Sequence, residues 1–112
     1  MSFDYHETLE KADINTSSSG DNTIIAAPST GQYLAIDHIN LLVNGVVTIQ
    51  FKAGSTAYGG PYLMASGGAL VLENSIHNEH GIITMPNATA FIMNLSAGVQ
   101  VSGFVRYRII NK

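Results

Sequence analysis

A chain of 112 residues holds one domain and leaves no room for a second core. Its apolar fraction of 46% belongs to a folded protein, but its charged fraction of 12% is low against about 25% in an average domain. Five Lys and Arg against eight Asp and Glu give a net charge of −3 and no basic stripe, which argues against nucleic-acid binding. The absence of cysteine excludes a disulfide framework, a thiol nucleophile and thiolate-bound zinc.

The opening residues, Met1 to Glu7, carry neither a basic region nor an apolar core, so the expectation is a chain without a signal peptide. The sequons at Asn15, Asn87 and Asn94 are then chance matches in a chain rich in Asn and Ser. Residues 1–12 differ from the rest, gathering Asp4, Glu7, Glu10 and Lys11. Phe3, Tyr5 and Leu9 have a weak helical spacing over a stretch too short to be stable alone. One reading is an arm that orders on docking, with Phe3, Tyr5 and Leu9 touching the partner; the other is a frayed terminus without a role. The domain proper then runs over 13–112.

From Ala12 onward the pattern has period two. Ala12, Ile14 and Thr16 alternate with polar neighbours, and Ser17 to Asn22 marks a turn. Thr23 to Ala27 reads as a short strand closed by Pro28 to Gly31. Tyr33 to Val43 is a long strand whose alternation breaks at Asp37-His38, the mark of a bulge. Asn44-Gly45 predicts a two-residue type I′ hairpin, since both positions of that turn need positive φ. Val47, Ile49 and Phe51 face inward in the next strand, while Thr48, Gln50 and Lys52 face out.

Tyr62 to Ala65, Ala69 to Glu73, Ile82 to Met85 and Thr89 to Leu95 follow as strands, with a loop over Asn74 to Gly81. Val99 to Ile110 is the last, placing Val99, Val101, Val105, Tyr107 and Ile109 on one face. Gly103 in its middle predicts a bulge or a close backbone approach. Phe104, Arg106 and Ile110 share the opposite face with Arg108, and an apolar outer face of that kind is an oligomer interface or a seat for the arm. About eight strands spaced roughly 8–12 residues apart, without a useful helix, predict an all-β antiparallel jelly-roll β-sandwich with a short N-terminal arm. No run reaches the ~20 apolar residues of a spanning helix, and an uncharged polar surface is cheap to bury against other subunits.

Catalytic patterns are missing. His77 and His80, with Glu73 and Glu79 nearby, offer metal donors on a loop, but the H-x-H spacing of cupin enzymes is absent and exposed loop histidines are the plainer reading. His38 on an apolar strand reads as a core or interface histidine. Adjacent residues of a strand point to opposite faces, so Asp37 and His38 should not form a dyad. No G-x-S-x-G elbow occurs, and Gly59-Gly60 and Gly67-Gly68 lead into strands, where they cannot cradle phosphate. The expectation is a non-enzyme with no catalytic residue, cofactor or metal. Tyr58 and Tyr62 remain as a pair that could stack on a sugar, although there is no Trp.

Three stretches carry a family resemblance: SGDNTIIAAP (Ser19 to Pro28), VVTIQFKAGSTA (Val46 to Ala57) with Gly60-Pro61-Tyr62, and NLSAGVQVSG (Asn94 to Gly103). Together they resemble the small β-sandwich virion proteins of tailed bacteriophages, the head decoration or cement proteins and related tail-fibre modules. The resemblance spans residues 15–107 and rests on turn and strand chemistry. It implies a jelly-roll protomer that forms a homotrimer, sits on the capsid surface against the major capsid protein and bridges neighbouring capsomers. It further implies assembly in the host cytoplasm, an N-terminal segment reaching onto neighbours, and no catalytic residue. Neither nucleic acid nor membrane is an expected partner. The alternative is a tail-fibre or receptor- or glycan-binding module.

Overall fold

The computed structural model describes residues 9–73 and 81–111. These form ten strands and no helix: β1 (Glu10–Thr16), β2 (Gly20–Ile25), β3 (Gln32–Val43), β4 (Val47–Ala53), β5 (Thr56–Ala57), β6 (Tyr62–Met64), β7 (Ala69–Glu73), β8 (Ile83–Thr84), β9 (Phe91–Leu95) and β10 (Val101–Asn111). One sheet has the order β1-β10-β3-β7, with β8 also on β3; the other has β2-β9-β4-β5, with β6 also on β4. Every pairing is antiparallel. The short pairs β5/β6 and β7/β8 each occupy a single strand position. What results is eight positions in two interleaved four-stranded sheets, the jelly-roll arrangement expected.

Period-two alternation builds the core. In β4 the buried Val47, Ile49 and Phe51 alternate with half-buried Thr48, Gln50 and Lys52. In β9, Phe91, Met93 and Leu95 point the same way, and Phe51 stacks on Phe91 with centroids 5.5 Å apart. The facing sheet contributes Leu34, Ile36, Ile39, Leu41 and Val43 from β3 and Val101 and Val105 from β10. No polar or charged side chain is fully buried among them. Each large side chain withdrawn from water contributes about 1.5–3 kcal/mol, so this apolar layer outweighs any single surface contact.

Gly103 meets its expectation as a close approach. It lies between Ile14 of β1 and Leu41 of β3, and a β-carbon there would run into the Asn40 carbonyl oxygen and sit 2.7 Å from Leu41 Cα. The bulge also occurs where expected: Arg106 pairs with His38 but Tyr107 pairs with Ile36, leaving Asp37 as the extra residue.

Three expectations need correction. Asn44-Gly45 is not a hairpin, since β3 and β4 lie in different sheets and neither residue has positive φ. It is a corner between sheets, where the Asn44 N–H donates to the Gln100 carbonyl and Gly45 passes close to Val99. The two-residue hairpin sits at Gly54-Ser55 between β4 and β5, with φ of 60° at Gly54 alone, as in a type II′ turn. Val99 does not start the last strand; it lies in the Ala97–Val99 turn ahead of β10. Within the segment read as an arm, Glu10 to Ala12 belong to β1, paired with Tyr107 to Val105. Leu9 is exposed just before that strand, while Phe3 and Tyr5 lie outside the described residues.

Candidate interaction surface

The outer face of the β1-β10-β3-β7 sheet is built in cross-strand rows. Ser102, Leu42 and Ala69 form one row, Phe104, Asn40 and Val71 the next, and Arg106, His38 and Glu73 a third. Leu42 and Val71 are 46% and 55% exposed, an apolar strip where a solvated sheet face would carry polar groups. Phe104 stacks on His38 at 5.5 Å with the rings 10° from parallel, and the Arg106 guanidinium lies 6.0 Å from the Phe104 centroid. Charges gather at one end: Arg106, Glu73 with a carboxylate oxygen 3.8 Å from His38 Nδ1, and the Lys11–Asp13 pair at 3.0 Å on β1.

Of the residues expected at an interface, Phe104 and Arg106 stand in this strip. Ile110 is half-buried four residues further along β10, opposite Tyr33 and past the bulge. The bulge also corrects the reading of Asp37 and His38. The Asp37 carboxylate accepts from Arg108 Nε at 2.7 Å and Nη2 at 3.0 Å on the outer face, where His38 lies against Phe104. The extra residue cancels the alternation, so both neighbours point outward, each engaged elsewhere.

On the other sheet the outer face holds an interlocked polar cluster, with Leu63 of β6 81% exposed beside Thr48. Asp21 of β2 accepts from Asn94 Nδ2 of β9 at 2.7 Å and from Lys52 Nζ of β4 at 2.9 Å. The Asn94 hydrogen bond, with Lys52 second, holds the Asp21 carboxyl below its ordinary value of 3.8. Gln50 Nε2 donates to the carbonyls of Tyr58 and Gly59 and so pins the loop after β5. Sequence reasoning missed this cluster, because Asp21, Lys52 and Asn94 come together only through strand pairing; Lys52 showed as an outward position and Asp21 as part of a turn, whereas it lies in β2.

Tyr58 and Tyr62, by contrast, are brought together. With Phe51, Gly59, Leu72, Glu73, Ile82 and Ile83 they line a pocket of about 280 Å³ where the two sheets part on the β5–β8 side. Among the described residues no three His, Asp or Glu side chains converge as metal ligands. His77, His80 and Glu79 lie outside the described residues.

Strand order thus defines the class, a jelly-roll β-sandwich. No protein-family model matches the chain, and neither does any curated protein. Among solved structures it is similar to a chain from Bacillus endospore appendages, which form a novel family of disulfide-linked pili. The TM-score is 0.50 at 15% identity, over 99% of this chain and 95% of that one. At that identity the likeness shows the fold alone. Having no cysteine, this chain cannot make disulfide links of its own.

Proposed function

We propose that the chain is a structural subunit that works by packing its outer sheet face against other proteins, without chemistry of its own. The observation that carries this reading is the strip of exposed Leu42 and Val71 beside half-buried Phe104, an apolar surface with a polar and charged rim. The charge-poor composition supports it, because Ser, Thr, Asn and Gln surfaces are cheap to desolvate. In its finer form, drawn from the resemblance to phage decoration proteins, the subunit is a homotrimer seated on the phage head and bridging capsomers. The pilus description of the structural neighbour offers a second geometry, an open filament, which here would have to hold without disulfides.

Light scattering at micromolar concentration tests the proposal. A trimer is expected, and Leu42→Asp combined with Val71→Asp should reduce it to the monomer mass with an unchanged circular dichroism spectrum. A wild-type monomer would sink the reading. Electron microscopy of concentrated protein separates closed trimers from open filaments, because only a heterologous contact that fails to close gives a fibre.

A further inference from the structure

Asn44 and Gly45 form a corner that leaves their reactive atoms unoccupied, and this is the chain's single Asn-Gly dipeptide. The Asn44 side chain is exposed, and its amide makes no hydrogen bond among the described residues. The Gly45 N–H donates to no carbonyl there either. The bonds that hold the corner use other atoms. The Asn44 N–H donates to the Gln100 carbonyl at 3.0 Å, and the Asn44 carbonyl accepts from Ser66 Oγ at 3.4 Å. Packing itself demands glycine at position 45, because a β-carbon would lie 3.1 and 3.2 Å from the Val99 methyls. A residue without a side chain is also the one whose backbone nitrogen approaches a preceding asparagine side chain with least obstruction. The other described asparagines lack this combination. Asn15, Asn22, Asn87, Asn94 and Asn111 all have their side chains in hydrogen bonds. Asn40 is half-buried in the middle of β3, and the next residue, Leu41, is paired with strands on both sides.

We propose that Asn44 is a site of self-modification by deamidation, with water as the co-reactant. The Gly45 amide gives its proton to hydroxide, and its nitrogen attacks Asn44 Cγ. The new N–Cγ bond closes a succinimide ring while the Cγ–Nδ2 bond breaks, and the leaving nitrogen takes a proton from water and departs as ammonia. Water then opens the ring in one of two ways. Attack at Cγ breaks the N–Cγ bond and leaves aspartate. Attack at the main-chain carbonyl carbon breaks its bond to nitrogen and leaves isoaspartate, with the main chain running through Cγ. Either product adds one negative charge to the corner, between exposed Leu42 and Val46. Isoaspartate also inserts one carbon into the link between β3 and β4, against Val99. The inference does not depend on how the subunit assembles, since every reacting atom belongs to one chain or to water.

Incubating the full chain in mildly alkaline buffer at body temperature tests it, read by isoelectric focusing and by electron-transfer fragmentation of the tryptic peptide Ala12 to Lys52. A species with one extra negative charge is expected, forming in proportion to hydroxide concentration. The change should map to Asn44 before any other asparagine, with isoaspartate the larger product. Asn44→Gln, whose ring closure is larger and slower, should abolish the acidic species with an unchanged melting curve; Asn44→Ala at the same exposed corner should do so too. The native rate should stay within roughly a hundredfold of the rate in the urea-unfolded chain, the loss that misplacing reacting atoms by about 1 Å causes. A slower native rate would overturn the proposal by showing that the corner holds the Gly45 nitrogen away from Cγ. An acidic species that maps first to another asparagine, or that persists in Asn44→Gln, would overturn it as well.

Discussion

A methyl group at Gly103 has nowhere to go, because the atoms it would meet are backbone atoms of Asn40 and Leu41 and not the ends of flexible side chains. Gly103→Ala should therefore separate β10 from β3 locally and cost about 3 kcal/mol, as severe overpacking does. A thermal melt should show a Tm lower by roughly 10 °C. Asp21 gives a pH-dependent test of a different kind. Its folded-state pKa is depressed, so the stability it contributes is present above its ordinary value of 3.8 and is lost as pH falls through the folded value. Asp21→Asn should lower the Tm at pH 7, and the gap from wild type should narrow in melts run at successively lower pH as the carboxylate protonates. A gap that persisted in acid would assign the effect to packing and not to charge.

At the scale of elements, the two dipeptides Asn44-Gly45 and Gly54-Ser55 make opposite demands. Gly54 has φ of 60°, a conformation that costs an L residue about 1 kcal/mol, and its added β-carbon would sit 3.3 Å from Thr89. Gly54→Ala should thus destabilise by roughly that amount in urea titrations. Asn44→Ala should stay within about 0.5 kcal/mol, because the exposed corner does not ask for positive φ. Gly45→Ala is crowded for another reason, with Val99 methyls at 3.1 and 3.2 Å, and Val99→Ala introduced with it should recover part of the loss. The Asn-Gly signal was misleading since it reports local backbone tolerance, which a hairpin and a corner between sheets both use. The bulge at Asp37 was legible in the broken alternation, but its consequence was not. Only the extra residue opposite Arg106 and Tyr107 turns Asp37 and His38 toward the same face.

Taken whole, the described residues send most of their apolar side chains to the interior; Leu42 and Val71 on the outer face of the β1-β10-β3-β7 sheet are exposed, as are Val46 at the corner between sheets and Leu63 of β6 on the other sheet. Burial of the Leu42 and Val71 strip between copies should make Tm rise with protein concentration, since a partner that binds only the folded state stabilises by mass action. The Leu42→Asp, Val71→Asp variant should abolish the dependence; a concentration-independent Tm in the wild type would speak against self-association. Part of this surface was legible in advance, Phe104 and Arg106 from the alternation of β10. Leu42 and Val71 were not singled out, because each lay in a strand that read as apolar throughout.

By itself the sequence determined that this is one all-β domain, where its principal strands run, and that Gly103 marks either a bulge or a close backbone approach. These are local properties, written in period two and in single residues with special tolerances. Strand order, the corner at Asn44-Gly45, the Asp21–Asn94–Lys52 cluster and the meeting of Tyr58 with Tyr62 were decided only by the tertiary structure. The physical reason is that neighbours in a jelly roll are chosen by which pairings close the core around Phe51 and Phe91. That choice joins residues far apart in the chain, and no local pattern records it.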